Sequence, residues 1–155
     1  MRQFCGFCRN RRHTERLDHY LLTGGCKKKV LDAEDEESIR EFIVNNLTRS
    51  GYTVEQAENG AVALEKFAKD ESGFDVAILD IMMPEVDGLA VCKQLRAKSS
   101  DLGIIMLSAK TQEMDKITGL MFGADDYVTK PFSPSELMAR VDAVYRQDRK
   151  STRLN

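Results

Sequence analysis

The chain has 155 residues, of which 42% are hydrophobic and 31% are charged, and its formal net charge is −2. This length suits one domain with its own core, and the hydrophobic content is too high for a disordered chain. A membrane-spanning helix needs about 20 consecutive apolar residues, and the sequence contains no such run. We therefore expect one soluble globular domain with no membrane partner.

The first 29 residues differ in composition from the rest of the chain. They hold 8 Lys and Arg against 2 acidic residues, whereas residues 30–155 hold 15 against 23. No apolar stretch typical of a secretory signal precedes the domain, so we expect a cytoplasmic protein. The acidic domain argues against direct binding of nucleic acid by this chain, with the basic first 29 residues as the alternative. We interpret residues 1–26 as an atypical extension that is poorly ordered or non-native.

Three of the four cysteines and both histidines lie in this extension. Cys5 and Cys8 form a C-x-x-C pair, and Cys26 with His13 or His19 could complete a zinc site. Zinc fingers space their last two ligands about three to five residues apart, which this sequence does not match. Cytosolic thiols are reduced, so a disulfide framework is not expected. Zinc binding, redox chemistry and an extension without a role stay open as alternatives.

From Lys29 onward, short apolar runs alternate with segments of helical periodicity. The predicted strands cover 29–33, 52–57, 74–79, 104–107 and 127–129, and the predicted helices cover 39–47, 60–67, 89–95, 114–122 and 135–146. A helix after every strand indicates a doubly wound parallel sheet, (βα)5, of the flavodoxin-like α/β class with strand order 2-1-3-4-5. We expect this domain to cover residues 27–147, and residues 148–155 to be a linker stub or a cloning remnant.

Polar side chains follow four of the five predicted strands. Glu34 and Asp35 follow the first strand, Asp80 the third, Ser108 the fourth and Lys130 the fifth. Ligands of such sheets bind at the carboxyl ends of the strands. Three carboxylates at one edge repel one another, and Mg²⁺ would relieve that repulsion while binding a phosphate oxygen. Each acidic residue alone could instead cap a helix or face solvent, but their common register favours a phosphoryl-transfer site centred on Asp80.

Four stretches resemble the receiver domain of two-component response regulators. They are EDEES (34–38), LDIMMPEVDG (79–88), MLSAK (106–110) and GADDYVTKPF (123–132). The resemblance covers about residues 28–147 and implies a CheY-like fold. The chain is most similar to receivers of the OmpR/PhoB type, which are transcription regulators with a winged-helix effector domain.

The resemblance implies a role for each matching residue at the strand ends. Asp80 would accept a phosphoryl group from a sensor histidine kinase, and Lys130 and Ser108 would contact that group. Mg²⁺ would be held by Asp80, Asp35 and Glu34, the last partly through water. The protein would catalyse only its own phosphorylation and dephosphorylation, and would not be an enzyme with an external substrate.

The resemblance also implies roles for residues next to the strand ends. The backbone carbonyl of Met82 would be another metal ligand, and the Lys130–Pro131 bond would be cis. Tyr127 would be an aromatic switch that turns inward when Ser108 moves to the phosphoryl group. A half-exposed strand aromatic is the plainer alternative for Tyr127.

The resemblance also implies a phosphorylation-dependent homodimer. Its interface would be the surface of the predicted fourth helix, fifth strand and fifth helix, which we call the dimer face. The matching charged residues are Lys116, Asp126, Glu136 and Arg140. A solvated charged surface is the alternative, because exposed ion pairs contribute only about 0–1 kcal/mol each.

Two features depart from the receiver pattern. Asp32 occupies a position in the first strand where an apolar residue is expected, so the strand should be looser there, locally exposed or in contact with the extension. A winged-helix effector of about 100 residues would have to follow Gln147, so we expect either a chain truncated to its receiver or a stand-alone receiver.

Three other functions are alternatives to a receiver with an effector domain. One is a stand-alone receiver that acts in a phosphorelay, and another is a degenerate receiver that serves only as a protein-interaction module. A haloacid-dehalogenase-type hydrolase would instead place D-x-D after its first strand, which this sequence lacks.

Overall fold

The computed structural model describes residues 28–70, 73–109 and 123–154. Its elements are β1 (Lys28–Ala33), α1 (Glu37–Arg49), β2 (Tyr52–Ala57), α2 (Gly60–Lys69), β3 (Val76–Asp80), α3 (Gly88–Lys98), β4 (Gly103–Ala109), β5 (Asp126–Lys130) and a C-terminal helix (Pro134–Leu154). The extension 1–26 and the predicted helix at 114–122 lie outside the described residues. Every predicted element within the described ranges is present.

The five strands form one parallel sheet in the order β2-β1-β3-β4-β5, which confirms the predicted topology. In this sheet Asp32 of β1 pairs with Gln56 of β2 on one side and with Ile78 of β3 on the other. Asp80, the last residue of β3, pairs with Leu107 of β4. The carboxyl ends of β1 and β3 are therefore adjacent at the point where the strand order reverses, which is where such sheets bind ligands.

Helices cover both faces of the sheet and form a separate core on each. Phe67 of α2 and Leu95 of α3 pack on one face. Ile43 of α1 and Leu137 of the C-terminal helix pack on the other. All five residues of β3 are buried, because this strand has helices on both sides. That double burial explains why its sequence is an unbroken apolar run before Asp80.

Local signals fix where several helices begin and end. The side chain of Asn59 accepts a hydrogen bond of 2.8 Å from the Val62 N–H at the start of α2. Asp87 does the same for the Ala90 N–H at the start of α3. These bonds satisfy N–H groups that have no partner within the helix. Gly51 follows α1 with a φ of +90°, a conformation that favours glycine.

Asp32 is fully buried, and β1 is regular on both sides of it. The expectation of a loosened or locally exposed strand is therefore wrong, and the suggested contact with the extension lies outside the described residues. Neither carboxyl oxygen has a hydrogen-bond partner among the described residues. Burial is the main cause that raises the pKa of Asp32 well above its usual value, and the nearby Glu34 adds to it.

The C-terminal helix continues to Leu154, beyond its predicted end at Arg146. Most of the segment 148–155, predicted to be a linker stub or a cloning remnant, is thus helical. Within the buried part of the helix, Asp142 accepts a hydrogen bond from the Tyr52 hydroxyl of edge strand β2. The ammonium of Lys28 lies 5.1 Å from the centre of the Tyr52 ring and 5.0 Å from that of Tyr145. These contacts join the helix to the start of both β1 and β2.

Candidate functional site

The predicted site residues gather at the carboxyl edge of the sheet. One carboxylate oxygen from each of Glu34, Asp35 and Asp80 lies within 4.8 Å of the others. Glu34 and Asp80 are buried, whereas Asp35 is exposed. Their three carboxylates are the hard oxygen donors that a divalent cation such as Mg²⁺ prefers, so the residues present fit such an ion.

Lys130 is the cation that faces this acidic cluster. Its ammonium lies 2.9 Å from the Glu34 carboxylate and 3.2 Å from the Asp80 carboxylate. Burial alone would lower the pKa of Lys130, but its hydrogen bond to Glu34 and the charge of Asp80 outweigh burial and raise it. Lys130 therefore stays charged. The following Lys130–Pro131 bond is cis, as the resemblance implies.

One lysine does not neutralise the cluster. Burial raises the pKa of Glu34 to about 7, with a further contribution from Asp80, although Lys130 opposes the shift. Burial also raises the pKa of Asp80 above its usual value, again against the effect of Lys130. Without another cation, the cluster holds a proton at pH values where exposed carboxyl groups are ionised. This is the electrostatic condition under which a divalent ion would bind well.

The loop from β3 to α3 contacts Asp80 and the end of β3. The Met82 N–H donates to Asp80 Oδ1 over 3.3 Å, and the Met82 side chain is 69% exposed beside the cluster. The Gly88 N–H donates to the carbonyl of Ile81 over 3.0 Å, which folds the loop back onto the end of β3. Glu85 takes a positive φ of 69° within this turn.

Ser108 and Tyr127 lie on the two strands beyond Asp80. Ser108 is buried in β4 and pairs with Thr129 of β5, immediately before Lys130. Tyr127 is half-buried and packs against the core on the α2 and α3 side of the sheet. Ser108 is therefore on the strand that lies between β3, which ends at Asp80, and β5, which carries Tyr127.

Comparison with known proteins agrees with this arrangement. A family model described as the response regulator receiver domain matches residues 30–142. The chain belongs to the response regulator receiver family. Domains of this family are phosphorylated by histidine kinases and bind Mg²⁺ at an acidic pocket, and they act as signalling switches.

Two curated relatives of this receiver domain are transcriptional regulators by name. The chain is 50% identical over 120 residues to the alkaline phosphatase synthesis transcriptional regulatory protein PhoP of Bacillus subtilis (strain 168), an alignment that covers 77% of this chain and 49% of that protein. It is 51% identical over 125 residues to the probable transcriptional regulator ycf27 of Guillardia theta, covering 81% of this chain and 48% of that one. The chain thus spans about half the length of these relatives.

A solved structure shows the same fold. The chemotaxis protein CheY4 of Vibrio cholerae superposes with a TM-score of 0.71 at 35% identity, and the match covers 77% of this chain and 99% of that one. Among the described residues of this receiver domain, no helix is both long and apolar enough to cross a membrane.

The predicted dimer face is only partly described. Lys116 lies outside the described residues. Arg140 lies 3.0 Å from Asp126 Oδ1 and 3.5 Å from Glu136 Oε1, so these three residues form ion pairs within one chain. A dimer that used the same charges across its interface would have to exchange these internal pairs for intermolecular ones.

Sequence reasoning overlooked two residues of this receiver domain that support the site. Arg40 of α1 donates a hydrogen bond of 2.7 Å to the carbonyl of Glu34. Gly88 lies so close to the end of β3 that a Cβ placed on it would lie 2.2 Å from the carbonyl oxygen of Asp80. The Asp-Gly dipeptide at 87–88 was part of the recognised motif, but only the three-dimensional contact shows why a side chain is excluded.

Proposed function

We propose that Asp80 of this receiver domain accepts a phosphoryl group from a sensor histidine kinase. The observation that carries the proposal is the position of Asp80 between two kinds of charge. Its carboxylate lies 3.2 Å from the Lys130 ammonium and within 4.8 Å of carboxylate oxygens of Glu34 and Asp35. An acceptor in that place has a cation on one side and a divalent-ion site on the other.

The transfer would proceed by attack of an Asp80 oxygen on the phosphorus of a kinase phosphohistidine. A P–O bond forms, the P–N bond breaks, and the imidazole keeps the electron pair of that bond. Lys130 and the Ser108 hydroxyl would contact phosphoryl oxygens and stabilise their charge. Mg²⁺ held by Glu34, Asp35, Asp80 and the Met82 carbonyl would supply the remaining positive charge. Water later hydrolyses the acyl phosphate to inorganic phosphate and restores the Asp80 carboxylate.

Incubation with acetyl phosphate and Mg²⁺, followed by intact-mass measurement, tests this assignment. We expect the wild-type chain to gain the mass of one phosphoryl group and Asp80→Asn to gain none. The matched control is Asp101→Asn, which changes an exposed aspartate away from the cluster and should be labelled like the wild type. Labelling of Asp80→Asn, or no labelling of the wild type, would overturn the assignment.

The output would pass through Ser108 and Tyr127 to the dimer face. Movement of Ser108 towards the phosphoryl group would open space for the ring of Tyr127. Tyr127 belongs to β5 and follows Asp126 directly. The Asp126–Arg140 pair could then exchange partners with a second chain. Light scattering with beryllofluoride and Mg²⁺ tests this: we expect a dimer for the wild type and a monomer for Arg140→Glu. A wild type that stays monomeric would contradict the dimer.

The names of the relatives support control of transcription as the wider role. We propose that this receiver acts in the cytoplasm with a DNA-binding effector, since its curated relatives are about twice as long. A stand-alone receiver in a phosphorelay is the second candidate. The sequence of the gene beyond these residues distinguishes the two.

A further inference from the structure

Arg40 reaches back from the first turns of α1 to the loop that follows β1. Its Nη1 donates to the carbonyl of Glu34 over 2.7 Å and lies 3.5 Å from the carbonyl oxygen of Asp35. The side chain is half-buried. Both carbonyls belong to residues whose side chains enter the acidic cluster, yet Arg40 contacts neither carboxylate by a described hydrogen bond.

The contact with Glu34 controls the backbone immediately before Asp35. The carbonyl of Glu34 and the N–H of Asp35 belong to one planar peptide unit, so fixing the carbonyl fixes the plane from which Asp35 projects. The rest of Glu34 is held separately, by the bond from its N–H to Ala57 and by the bond from the Glu36 N–H to its Oε1, both 3.1 Å. The exposed Asp35 side chain depends on this backbone for its direction.

We propose that Arg40 is a positioning residue for the divalent-cation site, acting through the carbonyl of Glu34 to direct the Asp35 carboxylate towards the ion. This inference rests on the proposed magnesium site. Its electrostatic and geometric effects have opposite signs. The guanidinium charge repels a nearby cation and would weaken Mg²⁺ binding, whereas an oriented ligand strengthens it. Removal of Arg40 therefore strengthens Mg²⁺ binding if charge repulsion dominates and weakens it if ligand orientation dominates.

Mg²⁺ titration of the full chain, followed by two-dimensional ¹H–¹⁵N NMR at constant ionic strength, tests the proposal. We expect Arg40→Met to raise the Kd for Mg²⁺ about tenfold, although it removes a repelling charge, because partners that orient metal ligands typically contribute that much. Arg40→Lys should raise it by less, about threefold, because an ammonium can still donate to Glu34 but lacks the planar fork of arginine. The Mg²⁺-induced shifts of the Asp35 and Glu36 amides should shrink in parallel.

Arg49→Met is the matched control, because Arg49 is an exposed arginine in the last turn of the same helix. It should bind Mg²⁺ like the wild type. A dispersed spectrum confirms that each variant is folded. If Arg40→Met does not fold, the Mg²⁺ affinity of Arg40→Lys tests the inference. Mg²⁺ binding as tight as that of the wild type, or tighter, in folded Arg40→Met would overturn the inference alone, and the same result in Arg40→Lys would do so where Arg40→Met does not fold. A wild type without Mg²⁺-induced shifts at the cluster would overturn the proposed metal site as well.

Discussion

The ammonium of Lys130 lies 2.9 Å from the buried carboxylate of Glu34, joining the end of β5 to the end of β1 across two intervening strands. Burial disfavours the charged form of Glu34, so the contact is an ion pair only at pH values where Glu34 is ionised. Even with Lys130 present, burial raises the pKa of Glu34 to about 7. The strand ends are therefore held together by a group whose charge depends on pH and on any cation bound beside it.

The first prediction concerns the pH dependence of stability. Glu34 in the folded protein keeps its proton up to about pH 7, whereas the unfolded chain loses it near pH 4.5. The folded state thus binds more protons in this window, and raising the pH favours unfolding. We expect the contribution of Glu34 to the free energy of unfolding to be present below about pH 4.5 and lost as the pH rises through 7.

Urea denaturation in EDTA between pH 5 and 8 measures this effect, with Glu34→Gln as the comparison. The free energy of unfolding of the wild type should fall relative to that of Glu34→Gln as the pH rises. Mg²⁺ added at high pH should restore wild-type stability, because a ligand that binds only the folded state stabilises it. A difference that is independent of pH would show that Glu34 does not titrate in this window.

The second prediction concerns Asp32. Its carboxyl group is fully buried, and neither oxygen has a hydrogen-bond partner among the described residues. Burial of a polar group without a partner costs about 1–3 kcal/mol by mutational measures. We therefore expect Asp32→Val to raise the free energy of unfolding by about that amount, with the larger gain at high pH, where the carboxyl group is pressed to ionise.

Chemical denaturation of Asp32→Val and of the control Asp101→Val measures the free energy of unfolding of each variant. The comparison shows whether a gain in stability comes from the burial of Asp32 or from removal of any negative charge. The control replaces an exposed aspartate and should change stability by less than about 0.5 kcal/mol. A destabilised Asp32→Val would contradict the prediction and show that the carboxyl group makes a stabilising contact.

The third prediction concerns Arg96 of α3, which binds the segment before β4 and the segment before β5. It donates to the carbonyls of Gly123 and Leu102, both over 2.7 Å, and lies 2.8 Å from the carboxylate of Asp125. The same carboxylate accepts from the Ile104 N–H, at the start of β4. Arg96→Met should lower the free energy of unfolding by about 2–3 kcal/mol, because hydrogen bonds of charged groups contribute about 1.5–3 kcal/mol to stability.

Hydrogen exchange locates the effect of Arg96→Met. We expect faster exchange at residues 123–127 than at β1, because the lost bonds hold the entry to β5. Lys69→Met is the control, since it removes only an exposed ion pair with Glu65 and should leave exchange at β5 unchanged. Uniform acceleration across the sheet would indicate a global loss of stability instead of a local one.

The sequence predicted the regular parts of the molecule well because their signals are local. The buried run of β3 and the helix cap at Asn59 are visible in a few residues, and the common edge of parallel strands then brings Asp80 and Lys130 together. Arg40 and Arg96 were not predicted, because each binds backbone carbonyls of distant segments and such contacts leave no motif. Asp32 was recognised as unusual, but the cost of burying a carboxylate argued for an exposed strand that the structure does not have.

The last prediction compares two glycines that are required for different reasons. A Cβ on Gly88 would lie 2.2 Å from the carbonyl oxygen of Asp80, whereas nothing lies within 4 Å of a Cβ on Gly51, whose φ is +90°. Gly51→Ala should therefore cost only backbone strain, about 1–2 kcal/mol. Gly88→Ala has to displace backbone at the end of β3, so it should cost more and slow labelling by acetyl phosphate. Denaturation and intact-mass kinetics measure both effects. If Gly88→Ala is labelled at the wild-type rate, the β3 end tolerates displacement, and the close approach of this loop is not needed to hold Asp80 in place.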